Sequence, residues 1–194
     1  MNKALATHPT RDRWAPGAGG MMFHSIVPHP SDPKQMWLGA SAIGVFYTDD
    51  AGACWTPRNK HVRADFLPTP IPEVGQCVHK LVTDPAIPGR LYQQNHRGMY
   101  RSDDGGQDWI DLGDGKLPRR FGFPMVAHPA KSGTIWITPQ HSDMQRFMID
   151  GKMCVYKSTD GGETWQEKRS DLPQEGAFVS VLREAMCVDG CDPC

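Results

Sequence analysis

The stretch Ser102-Asp103-Asp104-Gly105-Gly106-Gln107-Asp108-Trp109 decides the fold, because the chain writes its pattern three times. The phrase Ser/Thr-x-Asp-x-Gly-x-x-Trp recurs at Thr48, Asp50, Gly52 and Trp55 and again at Ser158, Asp160, Gly162 and Trp165. Its tryptophans stand 54 and 56 residues apart, a period that signals a propeller or another repeat array. An aromatic-led strand precedes each copy (Val45-Phe46-Tyr47, Gly98-Met99-Tyr100, Cys154-Val155-Tyr156) and a Trp-led strand follows it. The phrase is therefore a hairpin turn. The Asp accepts hydrogen bonds from backbone N–H groups, the Gly supplies the positive φ a tight hairpin needs, and the Ser/Thr fixes the turn from the other side. The Trp then buries a large ring between neighbouring sheets. A calcium-loop reading lacks the further oxygen ligands and closing Glu that such loops require.

Working backward from each phrase recovers two more strands per unit. The first reads His24-Ser25-Ile26-Val27, His79-Lys80-Leu81-Val82 and Phe123-Pro124-Met125-Val126, and the second Met36-Trp37-Leu38, Leu91-Tyr92-Gln93 and Ile135-Trp136-Ile137. Four short antiparallel strands make one propeller blade. The expected fold class is thus all-β, a propeller with blades at 23–58, 77–113 and 123–168. Residues 181–194 are expected to open a fourth blade with its first strand at Val181–Met186, and Pro193 falls where Pro33 and Pro88 fall. Residues 1–22 read as a linker from a preceding blade. Closed propellers have about four to eight blades, so a partial ring is expected, with open blade edges that invite self-association.

Composition narrows the function. With 39% hydrophobic residues, 20 Gly and 17 Pro, the chain has a core for folded blades and too much turn punctuation for a helical protein. A formal charge of −1 and the lack of a Lys/Arg cluster interleaved with aromatics argue against nucleic acid as a partner. No apolar run approaches the roughly 18 residues of a membrane span, and no secretory signal is evident; the chain is expected in the cytoplasm if its N-terminus is genuine. The six cysteines read as reduced thiols without a metal, including Cys187, Cys191 and Cys194, which lack a nearby fourth ligand. Cys54, Cys77 and Cys154 are expected to be buried, and no cofactor is expected.

Strand parity places any site. The first-to-second and third-to-fourth turns of a blade share one face, which carries the repeated phrase. The second-to-third loops and the blade connections share the other. Both long insertions, 59–76 and 139–153, therefore project from that second face, and long loops on a rigid scaffold are where binding concentrates. Candidate ligand-binding residues there are Arg63, His96, Arg97, His141 and Arg183, with Arg119, Arg120 and Asp143 beside them. His24 and His79 occupy the same repeat position at the start of the first strand. They are read either as ligand contacts or as hydrogen-bonded inner-strand residues.

The triple phrase resembles the Asp-box (BNR) repeat of sialidases and related β-propellers, in which that turn is structural and lies away from the substrate. Asp50, Gly52, Trp55, Asp104, Gly106, Trp109, Asp160, Gly162 and Trp165 are accordingly assigned to the turn and its packing. Gly-Gln-Cys-Val-His-Lys at 75–80 and Phe-Gly-Phe-Pro at 121–124 further resemble bacterial BNR-repeat proteins described as glycosyl hydrolase or exo-sialidase-like. Glycoside hydrolysis needs two carboxyl groups flanking the bond, and Asp65, Glu73 and Glu184, with Asp143, are the candidates. The tyrosine nucleophile that a sialidase resemblance implies has no counterpart, since Tyr47, Tyr92, Tyr100 and Tyr156 are all repeat-packing residues. Other Asp-box propellers bind polypeptide. The expectation is a module binding a glycan or polypeptide on its long-loop face, with glycoside hydrolysis as the alternative.

Overall fold

The computed structural model describes residues 2–17 and 20–191. Three four-stranded antiparallel sheets follow one another along the chain: β1(Met22–Pro28), β2(Met36–Ser41), β3(Gly44–Thr48) and β4(Thr56–Pro57); β5(Val78–Thr83), β6(Leu91–Asn95), β7(Gly98–Ser102) and β8(Ile110–Asp111); β9(Gly122–Ala127), β10(Ile135–Pro139), β11(Val155–Ser158) and β12(Gln166–Lys168). Each sheet is a simple meander. This is an all-β propeller built of repeated blades.

The repeated turns are constructed alike. Thr48, Ser102 and Ser158 donate their hydroxyls to the carboxylates of Asp50, Asp104 and Asp160 at 2.7, 2.8 and 2.8 Å. Each carboxylate then accepts the backbone N–H four residues on, from Cys54, Asp108 and Thr164. Gly52, Gly106 and Gly162 take φ of +88°, +86° and +92° and donate their N–H groups to the same hydroxyls. The turn needs a hydroxyl, a carboxylate and a glycine at fixed spacing, which is the phrase in the sequence.

Packing between blades also repeats. Trp37, Val45, Leu81, Leu91 and Trp109 fill the interface of the first two blades. Tyr92, Met99, Leu112, Met125 and Tyr156 fill the next, with Trp165 partly buried against them. Polar straps cross each seam: the Trp37 indole donates to Gly105 O at 2.8 Å and Trp109 to Arg58 O at 2.9 Å, and Arg101 donates to Gly161 O at 2.9 Å.

Both ends of the chain depart from expectation. Residues 2–14 are not a linker. Asn2 caps a short helix, Lys3–Ala6, and Leu5 and Trp14 are buried with Phe46, Trp55 and Ile43 on the outward side of the first blade. A Trp and a Leu have too much apolar surface to leave beside an uncovered sheet, so they pack onto that side of the blade. Residues 181–186 form no strand. A first strand draws its ladder from the second strand of its own blade, and residues 187–191 supply none. The segment packs Ala177 and Val181 against Met148 and crosses the inner strands, with Glu184 paired to Lys80 at 2.6 Å and Arg183 donating to Ser41 at 2.9 Å. Pro193 and Cys194 lie outside the described residues. No helix among the described residues is long and apolar enough to cross a membrane.

Candidate functional site

Both inner-strand histidines sit at irregularities of the ladder. The register of β1 against β2 shifts between Phe23 and Ser25, and that of β5 against β6 between Val78 and Lys80, so His24 and His79 are the extra residues. A bulge re-aims its side chain, here toward the next blade. His24 Nε2 donates to Val78 O at 2.7 Å, and His79 Nδ1 donates to Gly122 O at 2.6 Å. The two carbonyls occupy the same repeat position one blade further on, so these rings act first as inter-blade straps. Burial holds both rings neutral, lowering the pKa to about 4 at His24 and about 3 at His79 against the opposing hydrogen bond to a backbone carbonyl.

Around His79 the two insertions meet. His96, in the turn between β6 and β7, donates from Nε2 to the Asp143 carboxylate at 3.0 Å, and its ring lies 5.5 Å from Phe66 and 5.5 Å from His79. Arg97 reaches Asp65 at 2.6 Å and Asp143 at 3.6 Å. Loop 59–76, the β6–β7 turn and loop 139–153 are therefore tied together above the inner strands.

Two depressions result. The first, about 300 Å³, is lined by Phe66, Cys77, His79, His96, Phe123, Arg146 and Arg183, together with Ser41 and Leu182. Phe123 stacks on His79 at 4.6 Å, and the guanidinium groups of Arg146 and Arg183 lie 5.6 and 5.4 Å from the Phe123 ring centre. No carboxylate among the described residues lines it. The second, about 440 Å³, is lined by Arg63, Asp65, Arg97, Arg119, Arg120, His141 and Asp143, and shares His96 with the first.

The repeated turns, on the opposite face, match a known family. The BNR/Asp-box repeat family matches residues 156–167, the third copy of the phrase. The third blade of this propeller carries a BNR/Asp-box repeat. Among solved structures, an ancestral GH74 enzyme aligns over 86% of this chain and 20% of its own at 17% identity, with a TM-score of 0.60. YCF48 from Cyanidioschyzon merolae aligns over 76% of this chain and 37% of its own at 19% identity and a TM-score of 0.49. A YCF48 bound to D1 peptide aligns over 76% and 42% at 18% identity, with a TM-score of 0.47. The chain thus spans about a fifth of the GH74 enzyme and less than half of either YCF48. No curated protein matches the sequence.

Within this propeller frame the candidate residues separate. His79, His96 and Arg183 meet at the first depression, and Arg63, Arg97 and His141 line the second. His24 lies outside both, between the inner strands. Of the carboxylates, Glu73 is paired with Arg13 at 2.5 Å and Glu184 with Lys80, and both are exposed. Asp65 and Asp143 share Arg97. Phe123, Arg146 and Cys77 were missed as site residues, although Arg146 lies within an insertion whose face was already singled out. Cys77 is half-buried and burial raises its thiol pKa. Cys54 is exposed because its turn position offers its N–H to Asp50, not its side chain to the core; Cys187 and Cys191 are also exposed, and Cys154 is buried. One donor atom each from Cys77, His79 and His96 lies within 4.8 Å of the others, the only such trio of metal-ligating side chains among the described residues.

Proposed function

We propose that these BNR/Asp-box blades present a binding face for a carboxylate-bearing glycan or polypeptide, seated over Phe123 between the two long loops and the C-terminal segment. One observation carries the reading. Arg146 and Arg183 both reach over Phe123, and neither is paired with a carboxylate among the described residues. Arg146 donates to the backbone O of Asp143 and Arg183 to Ser41, which leaves further guanidinium N–H groups for an anion. An apolar floor with a few convergent polar groups is the usual make-up of a ligand pocket.

Arg146→Ala and Arg183→Gln should each weaken binding roughly 10-fold or more, the size of a charge-assisted hydrogen bond of about 1.5–3 kcal/mol. The measurement is titration against uronate- and sialate-bearing oligosaccharides and against acidic peptides, at two salt concentrations. Neutral ligands bound as well as anionic ones, or both variants binding as wild type, would overturn the reading.

Asp65 and Asp143, bridged by Arg97 beside the same face, support a second reading as a glycoside hydrolase. Turnover of fluorogenic glycosides that is abolished by Asp65→Asn or Asp143→Asn would put hydrolysis first. Equal turnover by wild type and both variants would remove it.

A further inference from the structure

We propose that Cys77, His79 and His96 form a binding site for a transition-metal cation of the Zn²⁺ class, with its open coordination position facing the cavity over Phe123. The inference goes beyond the binding face proposed above, and it is tested without any ligand for that face.

Thiolate and imidazole are the donors that suit such a cation, and here they come from one seam. Cys77 and His79 flank Val78 at the start of β5, and His96 lies across the ladder, where its backbone N–H donates to Cys77 O at 2.9 Å. Ligand atoms bound tetrahedrally at about 2.0–2.3 Å sit roughly 3.3–3.7 Å apart. The present trio, within 4.8 Å, closes on an ion with movements of about 1 Å or less.

The tautomers are already set. A backbone carbonyl only accepts, so His79 must carry its proton on Nδ1 toward Gly122 O. An ionised carboxylate only accepts, so His96 must carry its proton on Nε2 toward Asp143. A neutral imidazole that donates through one nitrogen keeps a lone pair on the other. His79 Nε2 and His96 Nδ1 are thus free donors, and neither makes a hydrogen bond within the described residues. A ligating imidazole whose other nitrogen is held by a carbonyl or carboxylate is the outer-sphere arrangement that fixes ring orientation at metal centres. On binding, the Cys77 thiol loses its proton to solvent and its sulfur lone pair goes to the metal. The resulting thiolate and the Asp143 carboxylate offset the positive field of Arg146 and Arg183. Three protein ligands leave a fourth position for water or an exogenous group, the pattern of open rather than closed zinc centres.

The test uses the full chain, freed of metal by chelator, in a Cys54→Ser, Cys187→Ser, Cys191→Ser and Cys194→Ser background that removes competing thiols. Titration with Zn²⁺ by calorimetry, and with Co²⁺ by absorbance, should give one ion per chain and a thiolate-to-cobalt charge-transfer band. Cys77→Ser should abolish the band and weaken Zn²⁺ binding at least 100-fold. Asp143→Asn should weaken it about 10–100-fold, as loss of an outer-sphere partner does. His96→Asn serves as a second ligand variant that leaves the His79 strap to Gly122 intact. No stoichiometric binding in the four-Ser background, or binding unchanged in both Cys77→Ser and His96→Asn, would overturn the assignment.

Discussion

Replacing Gly162 with alanine tests the turn and the blade interface in one residue. Gly162 has φ of +92°, beyond the left-handed region that other residues enter with difficulty, and an L side chain there costs about 1–2 kcal/mol. Its new Cβ would also stand 2.6 Å from Leu112 Cδ1 and 3.0 Å from Cδ2. Leu112 is completely buried between the second and third blades, so it cannot swing into solvent, and overpacking of that kind adds about 1–3 kcal/mol. Gly162→Ala should therefore cost about 2–5 kcal/mol in all. Gly115 isolates the first contribution: its φ is +69°, but nothing lies within 4 Å of a Cβ built there, so Gly115→Ala should cost only about 1–2 kcal/mol. For a chain of this length, each kcal/mol moves Tm by about 2–4 °C. Thermal melts should separate the variants clearly, and urea midpoints should rank them alike. Equal losses in the two, or a Gly162→Ala melt indistinguishable from wild type, would refute the packing argument.

Asp104→Ala removes the acceptor of two hydrogen bonds, from Ser102 and from the Asp108 N–H, and should lower stability by about 1–2 kcal/mol with anion affinity per folded molecule unchanged; a denaturant midpoint and a binding isotherm on the same preparation decide it. Trp14→Ala strips the cover from Phe46 and Trp55 and should cost about 3–5 kcal/mol and promote aggregation; light scattering during a melt would show otherwise if the variant stays monomeric and as stable as wild type. His24 is held neutral chiefly by burial, with Arg183 and Lys80 also opposing its charge while the Val78 carbonyl and Glu184 favour it. Because the unfolded chain binds the proton that the fold refuses, this contribution is fully present above about pH 6.5, is lost as pH falls toward about 4, and levels off below that. His24→Phe, the residue type the third blade carries at this position, should flatten part of the stability–pH slope in that window, and an unaltered slope in urea midpoints at pH 7.5 and 5 would disprove the assignment.

The blades were legible because their signal is local. A hydroxyl, a carboxylate, a glycine and a tryptophan within eight residues state a turn and its packing without reference to the rest of the chain. His24 and His79 were legible as a pair for the same reason, and their repeat equivalence now has a physical content in the bulge and the carbonyl of the following blade. The ends were not legible in this way. The run Ala15-Pro16-Gly17-Ala18-Gly19-Gly20 before β1 looks like a linker, yet Trp14 stands directly ahead of it within the supposed linker 1–22, and a large ring there was the available sign that the segment packs. Val181–Met186 has the composition of a first strand, but composition does not say whether a pairing partner follows. Cys77 and His96 face each other only through the β5–β6 register, and the bulge at His79 shifts that register, so their proximity could not be read by counting residues.

The C-terminal segment sets an order of events. Arg183 grips Ser41 across 142 residues of chain, and Glu184 meets Lys80 across 104. Loop closure over such separations is entropically costly and contacts of this kind arrive late in folding, whereas each blade is a meander of near neighbours. As domains emerge N-terminal part first during synthesis, the three sheets can be complete while the chain still lacks one wall of its cavity. A form that lacks residues 177–186 would then be a well-folded set of blades without Arg183 beside Phe123, so a ligand on the proposed face would report that this segment has docked, not merely that the blades have folded.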